Sequence, residues 1–210
     1  MATYDQLEAI VFDFDGTIAD SFEVFLESLT AALGRTKQLS AHEVTDMRRH
    51  STQEVIRQLG IKKWQLPLIL MRGKREITRR MNRVTVFDGM PTVLAGLSSR
   101  YQLYVMSTNS QANIAEFLDR SELSRYITKI YGDIGLLNKA KSLKKLGQQE
   151  HLESSQYLYV GDETRDIEAA QKVGIDCIAV GWGYGNPETL RSCNPTLIAD
   201  KPQDILDIFK

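Results

Sequence analysis

The segment Leu7–Phe14 (LEAIVFDF) is a short apolar run rich in Ile, Val and Phe that ends in Asp-Gly, the pattern of a buried strand closed by a turn. Similar runs recur at Gln102–Met106, Ile127–Tyr131, Tyr157–Val160, Cys177–Val180 and, weakly, Thr196–Ala199. Helical patterns separate them, the clearest being Thr164–Val173, which stops at Gly174. Continuously apolar strands alternating with helices predict a parallel sheet covered on both faces, a three-layer α/β, Rossmann-like core. One interval breaks the alternation. From Ser21 to about Thr85 only amphipathic helical patterns occur, such as SFEVFLESLTAAL and HEVTDMRRHSTQEVIRQLG. An all-helical cap is therefore expected at 20–85, inserted after the first strand of a core made of 1–19 and 86–210, with Pro91 restarting the core. Inserted there, the cap stands over the carboxyl ends of the strands, where open α/β sheets bind ligands.

Composition adds limits more than direction. With 210 residues, 42% hydrophobic and 25% charged, the chain can bury a substantial core. Its 26 Lys and Arg against 27 Asp and Glu give a net charge of −1, so no global field gathers nucleic acid or anionic membrane. The basic stretch Arg72–Arg83 lacks interleaved aromatic residues and predicts a solvated face, not a nucleic-acid site. No run approaches a membrane span, and MATYDQLEAIVFDFDG has no basic leader, so a soluble cytoplasmic protein is expected. Cys177 and Cys193 have neither metal-site spacing nor disulfide density, and His42, His50 and His151 are scattered. Trp64 and Trp182 are expected to be packing residues.

The chemistry concentrates at strand ends. Asp13 and Asp15 lie two apart, so their side chains project to one side while Phe14 points into the packing. Two carboxylates in one small volume call for a divalent cation or for a split of roles between nucleophile and acid. Gly16 lets the backbone turn sharply, and amides there and at Thr17 can approach an anion. A second acidic pair, Asp162 and Asp166 in GDETRD, follows the YLYV strand and faces itself across the first turn of a helix. Parallel strands bring both pairs to one sheet edge, a carboxylate nest suited to Mg²⁺. Ser107, Thr108 and Asn109 offer a hydroxyl and amides to phosphoryl oxygens. A lysine in LLNKAKSLKKL can offset the carboxylates.

These elements, in this order and over the whole chain, resemble the haloacid dehalogenase superfamily, in the group of phosphoglycolate phosphatases and β-phosphoglucomutases. The resemblance implies that Asp13 of DFDGT is the nucleophile and Asp15 the general acid and base. Ser107 corresponds to the phosphate-binding hydroxyl, Asp162 to a metal ligand and Asp166 to a support of the metal shell. Mg²⁺ then rests on Asp13, the Asp15 carbonyl and Asp162. The third motif departs from the pattern, since Ala140 stands where proline is usual; Lys139 is favoured over Lys141. Thr108 stands where asparagine is common, leaving the choice between it and Asn109 open.

The implied activity is Mg²⁺-dependent hydrolysis of a small phosphate monoester through an aspartyl phosphate. Aspartate at position 15 speaks against dehalogenation. A sugar phosphomutase and a non-catalytic phosphate-binding domain are the alternatives. Arg48 and Arg49 are candidates for binding a second substrate anion, against the simpler reading of a solvated helix face. The expected partner is a small phosphate ester, with the chain a monomer or small homo-oligomer.

Overall fold

A computed structural model describes residues 4–34, 40–47, 52–135 and 138–210. Strand β1 (Ala9–Phe12) is followed by the short β2 (Ala19–Asp20), then by helices α1 (Phe22–Ala32), α2 (Ala41–Met47), α3 (Thr52–Gln58) and α4 (Leu66–Arg80). A second short strand, β3 (Thr85–Val86), leads into α5 (Met90–Ser98), β4 (Gln102–Met106), α6 (Gln111–Arg120) and β5 (Lys129–Tyr131). The chain ends α7 (Lys139–Gln149), β6 (Tyr157–Gly161), α8 (Thr164–Val173), β7 (Asp176–Val180), α9 (Pro187–Ser192), β8 (Leu197–Ala199) and α10 (Pro202–Ile208).

Six strands form one parallel sheet in the order β5-β4-β1-β6-β7-β8. Each of its strands corresponds to one of the apolar runs, and their side chains alternate between two cores. Ile10, Phe12, Leu103, Val105, Leu158 and Val160 pack on one face. Ala9, Val11, Tyr104, Met106, Tyr157 and Tyr159 pack on the other. Both faces are apolar because both are covered by helices, which is why the strands read as unbroken hydrophobic runs.

Strand β1 lies at the centre, with the chain running outward from it through β4 and β5 on one side and β6, β7 and β8 on the other. The crevice of such a sheet opens beyond its carboxyl edge, where the order reverses. Phe12 pairs with Val105 and Val160, so Asp13, Ser107 and Asp162 emerge within two residues of one level.

The helical stretch hangs on β2 and β3, which pair antiparallel through Ala19 with Val86 and Asp20 with Thr85. Two-residue strands carry no periodicity, so no sequence pattern announces them. Phe22, Leu26, Leu29, Val55, Leu59 and Ile69 form a separate small core between α1, α3 and α4. Tyr184 joins it from the loop after β7. Trp64 differs from its expected packing role: it is 76% exposed, near exposed Leu68 and Met71. Trp182 does pack, with its ring near Phe87 and its indole N–H donating to the Thr17 carbonyl at 3.2 Å. Among the described residues, no helix is long and apolar enough to cross a membrane.

Candidate active site

Where β1 ends, the backbone turns back on itself. Gly16 adopts φ +79°, and a Cβ placed there would lie 2.1 Å from Asp162 Oδ2, so the position takes no side chain. The Gly16 N–H donates to the Ala19 carbonyl at 2.9 Å and the Thr17 N–H to the Phe14 carbonyl at 3.3 Å. Both amides thus close the turn. The Thr17 hydroxyl donates to Asp162 Oδ1 at 3.1 Å, so this residue braces an acidic group.

Asp13, Asp162 and Asp166 offer oxygens that all lie within 4.8 Å of one another, and all three residues are buried. Lys139, at the first turn of α7 and 4% exposed, donates from Nζ to Asp13 Oδ2 at 2.6 Å and to Asp166 Oδ1. Its ammonium also lies 5.1 Å from the centre of the Tyr159 ring. Lys141, two residues on, is exposed. Residues two apart on a helix project to different sides, so only one of these lysines can enter the cluster. Asp166 accepts the Glu163 N–H at 2.9 Å, tying the acidic cluster to the start of α8. Asp162 Oδ2 accepts the Tyr184 N–H at 2.7 Å.

Burial pushes the Asp13 carboxyl up to about 6; Lys139 opposes this, and Asp166 adds to it. Burial also raises Asp162 well above the usual carboxylate range, helped by Glu163, Asp166 and Asp13. Burial pulls the Lys139 ammonium down, but Asp13 and Asp166 outweigh it and hold the group charged. Lys139 bonds two of the three buried carboxylates, and Arg165, paired with Glu163, acts on all three, so two cations face four acidic groups and negative charge is left over. The donor set is all oxygen and hard, so it fits a divalent cation of the Mg²⁺ kind.

Asp15 stands on the other side of the turn, half-buried. Its Oδ1 accepts the Ser21 hydroxyl at 2.7 Å, and Asn109 Nδ2 lies 3.2 Å from Oδ2. Ser107 Oγ is 3.5 Å from Oδ2 and accepts the Asn109 N–H at 3.1 Å. Burial raises this carboxyl, against the lowering effect of the Ser21 and Asn109 donors. Thr108 lies between, half-buried, and it is Asn109 whose side chain reaches Asp15. Arg48, Arg49 and His50 lie outside the described residues.

Three participants escaped the sequence reading. Ser21 and Tyr184 share a hydrogen bond of 2.8 Å between hydroxyls, and Asn113 meets Asn109. Tyr184 sits in GWGYG, a glycine-rich loop at a strand's carboxyl end. That position alone was a usable signal.

Residues 10–180 match the haloacid dehalogenase-like hydrolase family. The chain is 32% identical over 203 residues to a phosphoglycolate phosphatase of Synechococcus elongatus, covering 95% of this chain and 96% of that protein. It is 30% identical to a 5'-nucleotidase of Pseudomonas aeruginosa, over 89% of this chain and 88% of that one. In structure it is similar to a haloacid dehalogenase-like family protein of Streptococcus pneumoniae, with a TM-score of 0.81, 24% identity and coverage of 98% and 99%. The chain belongs to the haloacid dehalogenase-like hydrolase family. Within it, the protein is a phosphatase of the phosphoglycolate phosphatase-like kind.

Proposed function

We propose that this phosphatase is Mg²⁺-dependent and hydrolyses a small phosphate monoester through an aspartyl phosphate on Asp13. The observation that carries this is the division between two carboxyl groups. Asp13 is locked to Lys139 in the acidic cluster, whereas Asp15 faces neutral donors, Ser21 and Asn109. Two acids in such different surroundings suit two roles.

An Asp13 oxygen attacks phosphorus as the ester P–O bond breaks, and the departing alkoxide takes the proton from Asp15. In the second step Asp15, now a carboxylate, takes a proton from water. The water oxygen attacks phosphorus, the Asp13–phosphorus bond breaks, and inorganic phosphate leaves. Ser107 and Lys139 stabilise phosphoryl oxygens, as donors at the strand end and the helix start. Asp13 and Asp162 would hold Mg²⁺, with Asp166 supporting Asp13 through Lys139. When bound, the cation offsets the like charges of nucleophile and phosphate.

Residues 20–85 act as a cap over this core and set the substrate. Relatives named for phosphoglycolate and for 5'-nucleotides make these two esters the first to assay. Phosphate release from a panel of phosphate monoesters with Mg²⁺ is the test, with Asp13→Asn beside the wild type. Turnover should vanish in the variant while its circular dichroism and melting stay native-like. Undiminished activity in that variant removes Asp13 as nucleophile.

A further inference from the structure

The helix α4 reaches Asp15 through two side chains of α6 and its approach. Thr78 Oγ1 accepts from Asn113 Nδ2 at 3.0 Å, and the same amide group donates to Asn109 Oδ1 at 2.9 Å. Asn109 Nδ2 then faces Asp15, at 3.2 Å from Oδ2 and 3.4 Å from Oδ1.

Each amide in this chain has its direction set by the one before. The Thr78 hydroxyl gives its hydrogen to the Lys74 carbonyl at 3.1 Å, so a lone pair is left for Asn113. The two hydrogens of Asn113 Nδ2 therefore have two acceptors. Asn109 Oδ1 receives one of them and the Ser110 N–H at 2.9 Å, which leaves the NH₂ end of Asn109 no direction but Asp15. Asn113 is buried, so its amide cannot turn to water instead. A second chain arrives from the opposite side. Tyr184, whose ring packs at 5.0 Å from Phe22 and 5.5 Å from Phe25, meets the Ser21 hydroxyl, which donates to Asp15 Oδ1.

We propose that Thr78 and Asn113 are positioning residues that aim the Asp15 carboxyl through Asn109, so that the acid is aligned when Thr78 of α4 meets Asn113 of α6. This rests on the phosphatase reading above. Ser21 and Tyr184 hold the other carboxyl oxygen, and the group is seated only with both chains made. Thr78 bonds Asn113 and the Lys74 carbonyl and not Asp15 itself, so its effect on the acid passes through the two amides.

Leaving-group dependence separates this role from a structural one. An alkyl phosphate needs a proton delivered to its leaving oxygen, whereas the p-nitrophenolate of p-nitrophenyl phosphate departs without one. The value of kcat/KM reports the first, phosphoryl-transfer step. The experiment measures it for p-nitrophenyl phosphate and for the alkyl phosphate that wild type hydrolyses fastest, in wild type, Thr78→Val, Thr78→Ser and Asn113→Ala. Losing one neutral hydrogen bond should lower the alkyl value in Thr78→Val by about threefold with KM little changed. Asn113→Ala, which cuts the chain at its middle, should lower it by about tenfold. The aryl value should stay within about twofold of wild type in both, and Thr78→Ser, which keeps the hydroxyl, should restore the alkyl rate. An equal fall for both esters, or no fall in either, overturns the proposal. Wild type inactive on every ester overturns the phosphatase reading itself, a different result.

Discussion

Two groups of charged residues in this protein use the same chemistry to opposite ends. In the core, Lys139 sits with Asp13 and Asp166 at exposures of 5% or less. On α4 and just beyond it, Arg79, Arg80 and Arg83 pair with Glu76 and Glu27, with side-chain exposures between 19% and 73%. The outer pairs are solvated and interchangeable with water. Those in the core cannot be, and the difference makes the cluster a candidate site: buried carboxylates short of positive charge are suited to a cation.

The comparison breaks hardest at Lys139. Lys139→Met keeps much of the side chain's bulk and removes its charge, leaving Asp13 and Asp166 without their hydrogen-bonded cation and with Arg165 as the remaining positive neighbour. Removing one partner of a buried ion pair costs about 3–5 kcal/mol, and phosphate release should fall by about a thousandfold as the proposed donor to the phosphoryl oxygens is lost. Urea melts and initial rates measure both. A variant as stable as wild type contradicts the account of the cluster, and Mg²⁺ should recover part of the stability.

A smaller effect is expected from pH. The Asp13 carboxyl is raised from 3.8 to about 6 in the folded protein. Between those values the native state holds a proton that the unfolded chain has released, so on this account stability falls as pH rises through the window. Below about pH 4 both states are protonated, and above about pH 6 both are ionised and the cost is fully present. Asp162 is shifted in the same direction. Mg²⁺ competes with these protons, so its stabilisation should be larger at about pH 7.5 than at about pH 5. Thermal melts of metal-free protein with and without Mg²⁺ at the two pH values decide it. Equal shifts at both contradict the charge deficit.

The same division explains what could be read in advance. The six strands of the large sheet were legible because burial on both faces leaves runs such as LYVM and YLYV with no charged position. Asp13, Asp15, Asp162 and Asp166 were legible because each lies at a fixed offset from such a run. The resemblance favoured Lys139 over Lys141, and the packing of α7 is what brings Lys139 into the cluster and leaves Lys141 exposed. The roles of Thr17 and Tyr184 were not legible either. The Thr17 hydroxyl meets a residue 145 positions away, and Tyr184 meets Ser21 across 163. Contacts at that separation exist only once the sheet has brought strand ends together. The α4 stretch was legible as a solvated face for the complementary reason: its ion pairs are local or exposed.

The smallest effect should come from Arg83, which forms a two-pronged pair with Glu27 at 2.5 and 2.9 Å across 56 residues. Its geometry is as good as that of Lys139, and it links the exit from α4 to α1. Yet the Arg83 side chain is 49% exposed and Glu27 has Arg80 as a second neighbour at 3.6 Å. Water replaces the lost partner, so Arg83→Ala should cost less than about 1 kcal/mol. Screening gives the sharper distinction. At 1 M salt the Debye length is about 3 Å, so the difference between Arg83→Ala and wild type should nearly disappear, whereas the cost of Lys139→Met should persist because solvent ions cannot enter the cluster. Denaturation midpoints of the two variants at low and high salt make the comparison direct. A salt-insensitive Arg83→Ala would place that pair with the buried group, and the contrast between the two regions would then rest on something other than access to water.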